Sequence, residues 1–517
     1  MGPGRSPRPL AEHHRSPLDQ GALTGALMVC GTTSDSGKTT LVAALCRSMA
    51  RRGVSVAPFK AQNMALNSEV TEDGLEVGRA QALQAEAALV PVEVAMNPVL
   101  LKPTGDQACQ VVRMGEPWKV LSAAEYHGLK ADLWPTVLDA LADLRSRFDV
   151  VLVEGAGSPA EINLLDRDIV NLPLARKAGI PALVVGDINL GGVFAALYGT
   201  VALLPDELRM WVKGFVINKL RGDPSLLLDG CDKLEARCGV PTLGVIPWID
   251  QTGLDAEDSM ALSRPTASMR PPLADALDVA ILRLPRISNF TDFDPLALEA
   301  GVAIRWVDHP SLLGAPDLIV IPGSKATVED LEWMRATGLA DAVAASDASI
   351  LGICAGYQML GSVIDDTVES GSGPTPGLGL LPVRTRYEPS KVTRRRTGRA
   401  WGSPVSGYQI HHGRVTAEGG DPFVILHDLD TGEHVDGVRR ADIWGTTLHG
   451  LFDSDHFRRT FLETVASARG KRWLSDGIRV ADVRSAALDR LADAVDEHLD
   501  MDTVERIVRS ADTGVVN

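Results

Sequence analysis

The chain predicts two successive α/β domains, each built around a buried parallel sheet. Three observations lead there. The length, 517 residues, exceeds what a single hydrophobic core organises. Continuous apolar runs recur and end in Gly, Asp, Glu or Asn, the pattern of strands covered on both faces. Two of those runs feed glycine-containing turns, Gly31 to Thr40 and Gly352 to Gln358, that can place a reactive group at a strand's carboxyl end.

Residues 1–25 are rich in Pro, Arg and Ser and lack an apolar signal-peptide core, so they read as a disordered tail. The first domain is expected over 26–250. Ala26 to Cys30 is its first strand, and Leu41 to Arg52 a helix. The runs Val150 to Val153, Ala182 to Val185 and Gly214 to Ile217 supply further strands, ending at Glu154, Gly186-Asp187 and Asn218-Lys219. Residues 251–277, with Pro265, Pro271 and Pro272, read as a linker. The second domain is expected over 278–475, with strands at Asp278 to Leu282, Leu318 to Ile321 and Ile350 to Ile353. Residues 476–517 read as an amphipathic helical extension with a tail.

The segment Gly31-Thr32-Thr33-Ser34-Asp35-Ser36-Gly37-Lys38-Thr39-Thr40 follows a strand and opens a helix. Its glycines stand one residue further apart than in GxxxxGK[ST], but the physics is that of a phosphate loop. Backbone N–H groups at a helix N-terminus face the phosphates. Lys38 would reach the β- and γ-phosphates of ATP, and Thr39 would ligate Mg²⁺. Glu154, at a strand end, is placed for the second metal ligand. Asp35 is a further candidate for metal or substrate, and Asn218 for the adenine edge.

Gly352-Ile353-Cys354-Ala355-Gly356 is the thiol form of a nucleophile elbow. A cysteine at such a turn is activated by the helix N-terminus and a histidine. Oxyanion donors are expected from the N–H of Ala355 and of Gly323 or Ser324. His449 fits best as the base; His411 and His412 compete, His411 more as a supporting group.

A net charge of −16 disfavours nucleic acid as the main partner. No apolar run approaches membrane-spanning length. Six scattered cysteines with no CxxC pair argue against a disulfide framework or structural zinc, and for a reducing cytoplasm.

The long-spaced phosphate loop resembles the dethiobiotin-synthetase-like branch of P-loop enzymes, a doubly wound parallel sheet. The Cys354 half resembles class I glutamine amidotransferase domains. Most of that class carry Glu two residues after the histidine, where this chain has Leu451, so the resemblance implies a Cys354–His449 dyad whose histidine has no assigned orienting group.

A more specific likeness covers residues from about Leu27 to about 475. Pro58 to Ser68, Glu76 to Gln81, Asn97 to Pro103, Glu154 to Leu164, Asn289 to Asp294 and Gly407 to His411 resemble the cobyric acid synthase family, which usually has Glu where Gln409 stands. The resemblance implies ATP- and glutamine-dependent amidation of the b, d, e and g carboxylates of adenosylcobyrinic a,c-diamide. Candidate contacts to that corrinoid are Lys60, Gln62, Asn63, Asn67, Arg79, Lys102, Glu161 and Asn163, of amide or charged type. It implies no permanently bound cofactor beyond ATP, Mg²⁺ and glutamine, and leaves a homo-oligomer open. A sister ligase amidating the a and c positions, a two-chain cell-wall-precursor ligase and a ParA-like regulatory ATPase are the alternatives.

Overall fold

A computed structural model of the chain describes residues 23–104, 108–249, 254, 276–428 and 432–511. The tail expected over 1–25 and the linker expected over 251–277 lie largely outside the described residues. Leu23, at the edge of the first, is buried.

The first body is a six-stranded parallel sheet. Its order is Thr242–Pro247, Val212–Leu220, Ala182–Asp187, Gly25–Gly31, Val150–Glu154 and Val56–Phe59. The four apolar runs read from the sequence are four of these strands; Val56–Phe59 and Thr242–Pro247, at the two edges, were not read. Gly25–Gly31 sits between Ala182–Asp187 and Val150–Glu154, so its carboxyl end opens the crevice where the phosphate loop begins. The helix Lys38–Arg51 follows the loop directly.

A small four-stranded sheet, Gln62–Met64, Val99–Pro103, Ala108–Arg113 and Glu116–Ser122, hangs on this body. Apolar periodicity did not reveal it, because its strands are short and partly exposed. The C-terminal stretch also behaves differently from a simple extension. Helices Val480–His498 and Met501–Arg509 return to the first body. There Leu488, Leu491, Val495, Val504 and Val508 join the core cluster that holds Leu27, Val29 and Leu45. Arg47 pairs with Asp489 at 2.8 Å across this contact.

The second body carries an eleven-stranded mixed sheet. Val302–Val307, Leu277–Leu282, Leu318–Ile321, Ser349–Ile353 and Ile443–Thr446 run parallel. Beyond them the sheet turns antiparallel, with a long hairpin, Val383–Ala400 and Ser403–Ala417, that reaches back toward the first body. That hairpin was not foreseen. Val383–Ala400 carries Arg384, Arg386, Arg394, Arg395, Arg396 and Arg399, so it has no apolar run. Among the described residues no helix is long and apolar enough to cross a membrane.

Candidate active sites

The phosphate loop wraps the end of Gly25–Gly31. Gly37 has φ 96°, and a Cβ there would lie 2.1 Å from Asn218 Nδ2, so only glycine fits. Asn218 is thereby placed behind the loop, its amide donating to the Ser36 carbonyl at 3.0 Å. Lys219 Nζ donates to the Asp35 carbonyl and to Asp187 Oδ2, the latter at 2.8 Å. Asp35 is exposed in the left-handed region with φ 56°; Thr32 and Thr40 are half-buried, and Ser36 is buried. The Lys38 ammonium lies 2.8 Å from the Thr33 carbonyl and 3.2 Å from that of Gly157, at the loop mouth.

Glu154 is fully buried. One carboxylate oxygen accepts from Thr39 Oγ1 at 2.7 Å and from Lys60 Nζ at 2.7 Å; the other accepts from Gln84 Nε2 at 2.6 Å. A buried carboxylate beside a loop threonine is an all-oxygen pair suited to a hard divalent cation. Lys60, a candidate for substrate charge, is thus the counter-ion of Glu154.

The other corrinoid candidates divide by location. Glu161 and Asn163 are exposed on the loop after Gly157, and Gln62 accepts from the Tyr126 hydroxyl. Asn63 is buried, donating to Gln81 at 3.1 Å. Arg79 pairs with Glu69 on the wall of a cleft of about 920 Å³ between the bodies. Asn67 and Lys102 face the second body instead. Asn67 Oδ1 accepts from the Phe290 N–H at 3.2 Å, and Lys102 lines the pocket of Cys354.

In that pocket Cys354 has φ 52° and ψ −108°, a strained backbone expected of a nucleophile elbow. Its N–H is anchored on the Thr446 carbonyl at 2.8 Å. The helix Ala355–Leu360 starts at once, leaving the Ala355 N–H at a helix terminus. A Cβ on Gly356 would meet the Ile321 carbonyl at 1.9 Å, which fixes glycine there. Gly323 borders the His449 ring, while the Ser324 hydroxyl donates to Asp330 at 2.6 Å.

His449 is fully buried and lines the pocket of Cys354, whose sulfur lies 3.9 Å from the Ile410 carbonyl. The His449 Nδ1 donates to Asp292 Oδ2 at 2.7 Å, and Asp292 Oδ1 accepts the Gly450 N–H at 2.9 Å. Burial alone would lower the ring's pKa; the Asp292 carboxylate and the Cys354 sulfur override it and raise it from 6.5 to about 10. The Tyr408 ring stacks on the imidazole at 5.4 Å.

Asp292 therefore answers what Leu451 left open. Sequence spacing could not find it, because it precedes the histidine by 157 residues. Its signal was only the Asn289 to Asp294 motif. His411 lies in the same pocket, with Nδ1 on the Gly413 carbonyl at 2.7 Å; burial lowers its pKa to about 4. His412 meets the Glu388 carbonyl at 3.0 Å. Neither takes the place of His449 beside Asp292.

Comparison with known proteins agrees with both halves. Residues 27–260 match the CobQ/CobB/MinD/ParA nucleotide-binding domain, and residues 278–457 the CobB/CobQ-like glutamine amidotransferase domain. A cobyric acid synthase of Streptomyces avermitilis is 50% identical over 498 residues, covering 94% of this chain and 97% of that one. Those of Nocardia farcinica (51%, covering 95% and 98%) and Rhodococcus jostii (52%, covering 94% and 95%) are similar over comparable spans. The chain belongs to the cobyric acid synthase family. It is an enzyme, a glutamine-dependent amidoligase of cobalamin biosynthesis, with the two matched domains in one chain.

Proposed function

We propose that the chain amidates the b, d, e and g carboxylates of adenosylcobyrinic a,c-diamide, using ATP and glutamine. The observation that carries this reading is the Cys354–His449–Asp292 arrangement in the same chain as the Lys38–Thr39–Glu154 site. A regulatory ATPase has no use for the first of these.

Cys354 attacks the side-chain amide of glutamine. Backbone N–H groups at Ala355 and Gly323 stabilise the oxyanion. His449, held by Asp292, passes a proton to the departing ammonia, and water then releases glutamate from the thioester. In the first body ATP phosphorylates an acceptor carboxylate, and ammonia displaces the phosphate. Lys38 holds the β- and γ-phosphates, and Asp35, Ser36 and the loop amides surround them. Thr39 and Glu154 are the residues that would hold Mg²⁺, whose part is to offset phosphate charge. Gln62, Glu161 and Asn163, at the strand ends and loop near Glu154, are the proposed corrinoid contacts.

The test is incubation with ATP, Mg²⁺, glutamine and the corrinoid a,c-diamide, followed by mass spectrometry. Stepwise mass decreases, one per carboxylate converted, are expected. Conversion of cobyrinic acid and not of its a,c-diamide would favour the sister ligase. A Cys354→Ser variant should lose glutamine-driven turnover and keep ammonia-driven turnover; loss of both would defeat the two-site scheme.

A further inference from the structure

The Cys354 pocket is walled in part by the first body. Lys102, at the end of Val99–Pro103, is buried with its ammonium 2.9 Å from Ser68 Oγ and paired with Glu76. Glu76 is also buried, and its other oxygen accepts from Lys391 of the long hairpin at 2.6 Å. Lys325 pairs with Glu369 on the same pocket wall. One carboxylate, Glu76, thus serves two ammonium groups from different bodies. Three lysines, Lys102, Lys325 and Lys391, line the pocket beside one glutamate, Glu369, while Glu76 sits behind Lys102 and Lys391. Burial pulls the Lys102 pKa down to about 8 despite Glu76, as expected where positive charge is not fully offset.

Glutamine is a zwitterion whose α-carboxylate and α-ammonium must be held while its amide reaches Cys354. We propose that this amino-acid head is bound by both bodies at once: Lys102 and Lys391 take the α-carboxylate and Glu369 the α-ammonium, so the glutamine site is completed across the domain boundary. The inference rests on the glutaminase reading above and adds a binding residue from the synthetase half.

The same residues tie the pocket to the nucleotide site. Asn97 donates to the carbonyl of Lys60, the partner of Glu154, and accepts from the Gly78 N–H, two residues after Glu76. Asn289, three residues before Asp292, donates to the Ser68 carbonyl at 2.9 Å. A composite glutamine site of this kind would leave glutamine poorly held whenever the bodies part.

The experiment measures glutamate release and amidation driven by ammonia in the full-length chain. Lys102→Met should raise the KM for glutamine by about tenfold or more, the usual effect of removing one charge-assisted hydrogen bond. Its kcat for glutamate release and its ammonia-driven amidation should stay within about threefold of the parent, since removing binding that ground and transition states share raises KM alone. Lys102→Arg should recover part of the loss, and Lys391→Met, made from the other body, should act in the same direction. An unchanged glutamine KM in Lys102→Met overturns the proposal. So does a parallel fall in ammonia-driven amidation, which would assign Lys102 to the acceptor site. Failure of the parent protein to amidate with either nitrogen source would instead refute the function on which the proposal rests.

Discussion

Replacing Asp292 by Asn isolates the contribution of the group that orients His449. The carboxylate and the ring are both buried, and the two carboxylate oxygens serve two donors, the ring at 2.7 Å and the Gly450 N–H at 2.9 Å. An asparagine has one acceptor oxygen. Whichever donor it accepts from, its NH₂ faces the other, so either the ring or Gly450 loses its partner. Losing a hydrogen bond to a charged group costs about 1.5–3 kcal/mol, and an unpaired buried donor adds a comparable penalty that local relaxation reduces. A net ~2–4 kcal/mol in the transition state corresponds to about 30- to 1000-fold in kcat/KM for glutamate release. The assay is glutamate release from glutamine beside ammonia-driven amidation. The first should fall by that factor and the second stay within about twofold, since the Asp292 carboxylate hydrogen-bonds to His449 and the Gly450 N–H of the thiol site. A loss of less than about threefold in glutamate release would refute the claim that Asp292 orients the base.

Further outcomes follow from the same geometry. Because His449 titrates near 10 when folded and at 6.5 ordinarily, its pair with Asp292 contributes fully to stability below about pH 6.5 and loses that contribution as pH rises through about 10. The melting-temperature gap between the parent and Asp292→Asn should therefore narrow from pH 6.5 to pH 10; a constant gap would contradict the raised value. Lys38→Ala should abolish ATP-dependent amidation with either nitrogen source and leave acceptor-independent glutamate release, read by the same two assays. Ending the chain after Arg479 removes Leu488, Leu491, Val495, Val504 and Val508 from the first core. At ~1.5–3 kcal/mol each, their loss exceeds most of a domain's stability, so insoluble protein is expected on expression. A soluble truncated chain with a cooperative melt would show that those helices are dispensable.

Much of both sites was legible in the chain. The phosphate loop, Glu154 at a strand end and the Cys354 elbow depend on short-range patterns: an apolar run, a glycine turn and a helix start, all within about a dozen residues. Lys38, Thr39 and Cys354 lie within those patterns, whereas His449, far along the chain from Cys354, was singled out partly by the family resemblance. The charged candidates were less legible, because residue type reveals that a group needs a partner and not which one. Lys60 met Glu154, Arg79 met Glu69, and Lys102 met Glu76.

By itself the sequence determined two α/β bodies, their order, a phosphate loop and a cysteine at a strand-to-helix elbow, because strand burial and turn geometry are local consequences of side-chain pattern. Only the tertiary structure decided that Asp292 orients His449 and that the C-terminal helices close the first core. It alone brought Lys102 of one body and Lys391 of the other to a shared carboxylate. Those contacts join residues far apart in the chain, and they arise when buried charges and apolar faces must find complements wherever the fold carries them.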